Sequence, residues 1–178
     1  MGNRAKLSAA VLGLILAGAP ASVILDQFLN EKEGNSTTGY QDGSGIWTIC
    51  RGTTRVDGKR VEKGMKLTQA KCDQVNAIER DKALAWVERN INVPLTEPQK
   101  AGIASFCPYN IGPGKCFPST FFNRINAGDQ TGACEAIRWW IKDGGRDCRL
   151  TKGLKNGCYG QVERRDQESA LTCWGIDQ

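Results

Sequence analysis

The 178-residue sequence contains no histidine. This absence excludes Ser-His-Asp and Cys-His nucleophilic systems, and it excludes every metal site that needs an imidazole ligand. The eight cysteines include no Cys-x-x-Cys pair, so the usual pattern of a four-cysteine zinc site is missing as well. Acid and base chemistry is left to carboxylates, lysines and tyrosines, and we expect neither a metal ion nor a cofactor.

The sequence also lacks a dense run of lysine and arginine. Its net charge of +5 is spread along the chain, which does not favour nucleic-acid binding. The positive charge does suit an acidic partner such as a bacterial cell wall, although a role in solubility alone explains it equally well. The length suits one domain of ordinary size, and we expect a monomer.

An uncharged segment runs from Leu7 to Leu25, nineteen residues in all. As a helix it would span about 28 Å, close to the roughly 30 Å of hydrocarbon in a bilayer. Arg4 and Lys6 precede it and Asp26 follows it, so the positive-inside bias predicts a cytoplasmic N-terminus and an exported remainder.

The same segment is a weak membrane anchor, because ten of its nineteen residues are Ala, Gly, Ser or Pro. A cleaved signal peptide is the competing interpretation, since Ala19-Pro20-Ala21 offers small residues for cleavage. The apolar run continues past this point, which favours a retained anchor that can leave the membrane. We therefore divide the chain into residues 1–25, the anchor or signal segment, and residues 26–178, the catalytic domain.

All eight cysteines follow the apolar segment, where an oxidising periplasm would allow them to pair. Eight cysteines permit 105 complete pairings, and the sequence does not choose among them. Loop closure and neighbouring helix ends favour four pairs: Cys50 with Cys72, Cys107 with Cys116, Cys134 with Cys173, and Cys148 with Cys158. Some of these side chains could instead be free thiols.

The strongest chemical signal is a set of three residues, Glu33, Asp42 and Thr48. Hydrolysis of a glycosidic bond needs one carboxylic acid to protonate the leaving oxygen and one carboxylate to activate water. Each residue alone has an ordinary explanation: a surface charge, a turn aspartate and a strand threonine. Their joint spacing, with flanking glycines and a tryptophan, favours a catalytic site.

The sequence predicts an α+β fold that is mainly helical. A helix should end at Glu33, because Gly34 follows it, and residues 39–57 should form a small antiparallel hairpin or meander. Further helices are predicted after the N-caps Thr68, Thr96 and Ser119, over Ala133–Lys142, and over roughly Gln161–Cys173.

The stretch from Glu33 through Gly39-Tyr40-Gln41-Asp42 to Gly45-Ile46-Trp47-Thr48 resembles the active-site region of the phage-type lysozymes, the endolysins of tailed phages. The likeness covers residues 26–176 and includes Asn110-Ile111-Gly112 and the run from Gly160 to Arg165 with Glu168. The weak apolar segment is similar to that of the signal-anchor-release endolysins, which insert in the inner membrane uncleaved and later escape.

This resemblance implies a lysozyme-like domain that cuts the β-1,4 bond between N-acetylmuramic acid and N-acetylglucosamine in peptidoglycan, with inversion. It also implies that Glu33 is the general acid, that Asp42 orients or deprotonates water, and that Thr48 helps to hold that water. The implied location is the host inner membrane, facing the periplasm, followed by release to the periplasm for host lysis.

The sequence departs from the family pattern at two positions. Arg51 follows the hairpin where many members carry a histidine, and Cys50 stands where glycine is common. Trp139 and Trp140 could line a sugar cleft, but tryptophans at helical spacing are more often core residues. None of these differences removes a step of the implied mechanism.

Two other function classes remain open from the sequence. A membrane-tethered, disulfide-rich module could bind cell-wall sugars without cutting them. A lytic transglycosylase would need an acid but no water-activating carboxylate, and Asp42 with Thr48 argues against it.

The position of Glu33 suggests a means of regulation. It lies eight residues after Leu25, about 12 Å along a helix. A protein whose anchor is still inserted would hold Glu33 near the membrane surface, so we expect the tethered form to be inactive.

Overall fold

The computed structural model describes residues 7–176 of the chain. Residues 1–6 of the predicted N-terminal segment and the last two residues of the predicted catalytic domain lie outside the described part.

Helices dominate the fold, as the sequence predicts. The α-helices are α1 (Ala9–Leu16), α2 (Ala21–Glu33), α3 (Gln69–Asn90), α4 (Glu97–Ala104), α5 (Pro113–Cys116), α6 (Thr120–Asn126), α7 (Gln130–Ile137) and α8 (Tyr159–Thr172), with a π-helix at Ser105–Ile111 and a 3-10 helix at Cys148–Thr151. Three antiparallel hairpins accompany them: β1 (Ser36–Gln41) with β2 (Trp47–Cys50), β3 (Arg55–Val56) with β4 (Lys59–Arg60), and β5 (Lys142–Asp143) with β6 (Arg146–Asp147).

Two hydrophobic cores divide the molecule into a helical lobe and a hairpin lobe. The larger core lies among α2, α4, α6, α7 and α8, around fully buried side chains such as Phe106 and Phe121. The smaller core joins β2 to α3 through Ile49 and Val75, next to the β3–β4 hairpin. The long helix α3 belongs to both cores, so it fixes the two lobes against each other.

The apolar segment is divided between two helices. Gly18 has a left-handed backbone (φ +73°) after α1, and Pro20 caps the start of α2. Proline cannot donate within a helix and glycine adopts positive φ without a steric cost, so a break at this point is physically expected. Leu7 and Val11 are buried in the larger core. Between residues 7 and 176, no helix is both long enough and apolar enough to cross a bilayer.

Helix starts agree well with the sequence signals. The hydroxyls of Thr68 and Ser119 accept hydrogen bonds from the backbone of the first turn, and Thr96 forms a capping box with Gln99. The predicted hairpin after Glu33 is confirmed, because β1 and β2 pair antiparallel.

The predicted helix Ala133–Lys142 is wrong at both ends. It begins earlier, because Asp129 caps the backbone of Gly132, and it stops at Ile137. The following residues form turns and strand β5, which leads into a hairpin at Gly144 and Gly145, both at positive φ.

The described chain contains the four disulfides that loop closure favoured, and it has no free cysteine between residues 7 and 176. Cys50–Cys72 ties β2 to α3, and Cys134–Cys173 ties α7 to the end of α8. Cys107–Cys116 and Cys148–Cys158 close shorter loops of the helical lobe.

Candidate active site

Glu33 is the last residue of α2. The helix ends there because Gly34 takes a left-handed φ of +65°, which turns the chain into β1. The Glu33 side chain is 23% exposed, and its Oε1 accepts a hydrogen bond from Nη1 of Arg164 at 2.5 Å. Its carboxyl group is therefore fixed by a cation from α8, the last helix of the chain.

Asp42 follows β1 at the start of an exposed turn. Its Oδ1 accepts hydrogen bonds from the backbone nitrogens of Ser44 and Ile46, at 2.8 and 2.9 Å. The aspartate thus organises its own turn, as this residue type often does. Its carboxylate stays in contact with solvent, so a water molecule can reach it.

Thr48 lies on β2 opposite Tyr40 of β1 and is buried. Its hydroxyl donates to the carbonyl oxygen of Tyr40 at 3.3 Å. Because this hydroxyl donates its proton to a carbonyl oxygen, its lone pairs remain free to accept a hydrogen bond from water.

These three side chains line one open cleft of about 750 Å³ between the two lobes. The hairpin lobe contributes Asp42 and Thr48, and α2 contributes Glu33. Other lining residues come from α3 and from the π-helix, and they include Asn76, Glu79, Lys82, Trp86, Arg89, Pro108, Tyr109 and Asn110. The cleft therefore combines carboxylates, cations, amides and an aromatic wall, a suitable mixture for a polar sugar chain.

Arg164 belongs to a buried ion network that sequence reasoning did not assign to the site. Its Nε donates to Glu168 at 3.0 Å, and Glu168 also accepts from Nη1 of Arg165 at 2.5 Å and from the hydroxyl of Ser105 at 2.7 Å. Burial alone would lower the pKa of Arg164, but Glu168 and Glu33 outweigh it, so the pKa is raised. The signal was present in the sequence as two arginines followed by a glutamate one helical turn later.

Arg51, which follows β2, has a structural role. Its buried guanidinium pairs with Asp26 of α2 at 2.8 Å and donates to the side chain of Asn30 at 3.1 Å. The carbonyl oxygen of Arg51 accepts from the hydroxyl of Tyr109 at 3.1 Å. Arg51 thereby fastens the end of the hairpin to the helix that carries Glu33.

Cys50 has a left-handed backbone, with φ at +57°. Glycine adopts this conformation at little cost, whereas a residue with a side chain adopts it only with strain. Here the disulfide to Cys72 holds the strained residue in place.

Burial raises the pKa of Tyr109 to about 12, and the negative charge of Glu33 adds to this effect. The phenol is therefore neutral at physiological pH and can serve as a hydrogen-bond donor on the cleft wall.

The two tryptophans do not line the cleft of Glu33. Trp140 packs against the larger core, as expected for tryptophans at helical spacing. Trp139 is 51% exposed, with the guanidinium of Arg124 over its ring at 5.0 Å, so the core interpretation is wrong for this residue. The helix ends at Ile137, which is why the two rings point to different environments.

Within residues 7–176, no group of three or more Cys, Asp and Glu side chains is arranged to hold a metal ion.

Comparisons with known proteins agree with this geometry. The family model described as phage lysozyme matches residues 30–168. The SAR-endolysin of Escherichia phage N15 is 86% identical over 178 residues, with both chains covered in full. A probable prophage lysozyme of Escherichia coli (strain K12) is 79% identical over 175 residues, covering 98% of this chain and 97% of that protein.

A solved structure supports the fold independently. The endolysin from Escherichia coli O157:H7 phage FAHEc1 superposes with a TM-score of 0.70 at 33% sequence identity, covering 83% of this chain and 89% of that chain. The hairpin lobe, the long helix and the helical lobe therefore form a lysozyme architecture. The chain belongs to the phage lysozyme family and is a muramidase, an endolysin that degrades the peptidoglycan of the host cell wall.

Proposed function

We propose that Glu33 is the general acid of this muramidase, that Asp42 orients and deprotonates the attacking water, and that Thr48 helps to hold this water. The observation that carries the proposal is that all three side chains line one cleft between the lobes. The substrate bond is the β-1,4 link between N-acetylmuramic acid and N-acetylglucosamine, and the reaction proceeds with inversion.

The environments of the two carboxyl groups suit this division of labour. The Glu33 side chain is only 23% exposed to solvent and lies at a helix end, whereas Asp42 is exposed on a turn. An inverting glycosidase places its acid and its base on opposite faces of the sugar, with a water beside the base. The hydroxyl of Thr48 lies on the same hairpin as Asp42, where that water would have to be held.

Purified protein and its Glu33→Gln variant should be compared on isolated peptidoglycan. We expect the substitution to lower kcat by roughly 10²- to 10⁴-fold with the fold kept, because amide cannot donate the proton. The matched control is Glu62→Gln, the same change at an exposed loop position. A Glu33→Gln protein with normal activity would refute the assignment.

Product analysis tests the class of reaction. Hydrolysis gives a reducing N-acetylmuramic acid end, whereas a lytic transglycosylase gives the anhydro form. Anhydro product from the wild-type protein would exclude the role proposed for Asp42 and its water.

We also propose that residues 7–25 act first as a membrane anchor and then as part of the enzyme. The proposal draws on the similarity to a relative that is 86% identical and is named a SAR-endolysin. It is further supported by the apolar content of the segment and by its break at Gly18. The host inner membrane would hold the protein on its periplasmic side until the segment escapes, and the released protein would work as a monomer in the periplasm.

The docked segment makes polar contacts as well as apolar ones. Ser8 donates to Glu31 at 2.6 Å, and the backbone nitrogen of Ala21 donates to Glu97 of α4 at 2.7 Å. Residues 21–25 belong to the same helix as Glu33, so withdrawing them into a bilayer would pull on the helix that carries the acid. This link supports an inactive tethered state.

Replacing Gly13 and Gly18 by leucine should retain the protein in the membrane and block lysis. Leucine strengthens insertion, and at Gly18 it also opposes the left-handed break that docking needs. Gly160→Leu, at an open helical position of α8, is the matched control. The location is read by membrane fractionation, and a membrane-retained variant that still digests its wall would refute the inactive tethered state.

A further inference from the structure

Glu168 is the most buried charged residue described in the chain, with no exposed surface. A carboxylate removed from water in this way is costly unless cations and hydrogen bonds compensate it. Two arginines and one hydroxyl surround it, and they are Arg164, Arg165 and Ser105. The charge of Glu168 is therefore fully compensated below the cleft, and only Arg164 lies between Glu168 and the proposed general acid.

Arg164 connects this buried site to the reaction. Its Nε donates to Glu168 while its Nη1 donates to Glu33, so a single rigid guanidinium contacts both carboxyl groups. Because the guanidinium is planar, fixing one edge against Glu168 fixes the direction of the other edge. The hydroxyl of Ser105 contributes at the same place, since it lies 3.5 Å from Nη2 of Arg164.

The charge of Glu168 has a second consequence. An arginine in contact with a carboxyl group favours its ionised form, and a general acid must keep its proton until the leaving oxygen takes it. Glu168 shares the positive charge of Arg164 and so reduces this effect on Glu33. Arg165 acts in the opposite sense, because it competes with Arg164 for Glu168, and it is held in turn by Asn110.

Other charged or titratable groups face this cluster from the neighbouring elements. They are Lys32 of α2, with Glu163 of α8 near it, and Tyr109 of the π-helix, with Arg51 and Glu79 near it. None of them donates a hydrogen bond to Glu168 as the two arginines do. The balance of positive and negative charge next to Glu33 therefore depends chiefly on this cluster.

We infer that Glu168 is a positioning residue of the reaction: through Arg164 it fixes the place of the general acid Glu33 and moderates how readily that acid loses its proton. The inference rests on the role proposed above for Glu33. Glu168 does not touch the substrate cleft, and it acts only through the guanidinium between them.

The test is a pair of substitutions with opposite expected effects on the pH–rate profile. Glu168→Gln removes the negative charge, so the alkaline limb of kcat should move to lower pH by about one unit. Arg165→Gln leaves Glu168 less compensated, so the same limb should move to higher pH. Glu62→Gln, at an exposed loop position, is the matched control and should leave the limb in place.

A purely structural role predicts a different result. Both variants would then lose rate without opposed shifts of the limb. The inference is overturned if the folded variants keep the wild-type limb or move it in the same direction.

Ser105→Ala provides a test that does not depend on the folding of a charge variant. It removes one hydrogen bond to Glu168 and leaves every charge in place, so kcat should fall roughly fivefold with KM unchanged. A normal kcat for this variant also overturns the inference. Glu33→Gln on the same substrate separates the two proposals. Retained activity in Glu33→Gln refutes the role of Glu33 as the acid. Lost activity in Glu33→Gln, together with unmoved pH limbs in the Glu168 and Arg165 variants, refutes only the role of Glu168.

Discussion

The two lobes hold their proposed catalytic groups in different ways. Glu33 lies in the cleft at the end of a helix and forms an ion pair with Arg164. Arg164 belongs to an ion network that is almost completely buried. Asp42 reaches the same cleft from an exposed hairpin turn and is held by two backbone N–H groups of its own turn. The helical lobe therefore fixes Glu33 through a buried ion network, whereas the hairpin lobe fixes Asp42 through backbone hydrogen bonds of the same turn.

This difference matches the roles that we propose for the two residues. A general acid needs a fixed position and partial shielding from solvent, whereas a water-activating carboxylate needs access to water. The contrast also predicts that changes to the groups that fix Glu33 on the helical side will cost stability as well as activity. Changes to the catalytic groups on the hairpin side should cost activity alone.

Removing Arg164 should have the largest effect on stability. Arg164→Met keeps the length of the side chain but leaves Glu168 with one cation fewer in a buried site. We expect the free energy of unfolding to fall by about 3 to 5 kcal/mol, measured by urea denaturation. Arg60→Met, at an exposed position of β4, should change it very little. A loss below about 1 kcal/mol for Arg164→Met would mean that the network does not stabilise the helical lobe.

The disulfide between Cys50 and Cys72 joins the hairpin lobe to α3. Replacing both cysteines by alanine should lower the free energy of unfolding by about 2 to 4 kcal/mol, because the bond closes a loop with a sequence separation of 22. The folded variant should also lose activity, since β2 carries Thr48 and ends at Cys50.

The control for this disulfide is the pair Cys148 and Cys158 in the helical lobe. Its replacement by alanine should also lower stability, but the folded protein should keep its activity, because this loop does not line the cleft. Equal activity losses for the two double variants would contradict the link between the hairpin disulfide and the site.

The sequence alone predicted the local structure around Glu33 and Asp42, because this structure depends on short spacing. Glu33 and Asp42 are close in the chain, and the helix stop at Gly34 and the turn after β1 have clear local signals. The N-caps Thr68 and Ser119 were recognisable for the same reason: a cap is decided by a few adjacent residues.

The buried network could not be found in this way, because its members lie far apart in the chain. Arg164 and Glu33 are separated by 131 residues and meet only when α2 and α8 both pack against α4. The helix predicted up to Lys142 failed for a related reason. Helical periodicity continues through Trp139 and Trp140, but the chain there turns into the β5–β6 hairpin instead.

Tyr109 lies between the two lobes and should show a smaller effect. Its hydroxyl donates to the carbonyl of Arg51, and Tyr109→Phe should cost about 1 kcal/mol at neutral pH. Burial raises the pKa of this phenol to about 12, against 10.0 for an ordinary tyrosine, so the folded protein holds this proton more tightly than the unfolded chain.

The sign of the pH effect follows from this difference. Above pH 10 the unfolded chain releases the Tyr109 proton while the folded protein keeps it, so stability must fall as pH rises from 10 towards 12. Stability curves of wild type and Tyr109→Phe should therefore converge over this range. Parallel curves would show that Tyr109 does not titrate differently in the two states.

Asp42→Asn should have the smallest effect on stability and so tests the comparison between the lobes most directly. Asparagine keeps the oxygen that accepts from Ser44 and Ile46, so the turn is preserved and the free energy of unfolding should change by less than about 0.5 kcal/mol. Activity on peptidoglycan should nevertheless fall at least about 100-fold, because an amide cannot accept the proton of water. A variant that is markedly less stable would mean that Asp42, like Glu33, is fixed by more than its own turn, and the contrast between the two lobes would then fail.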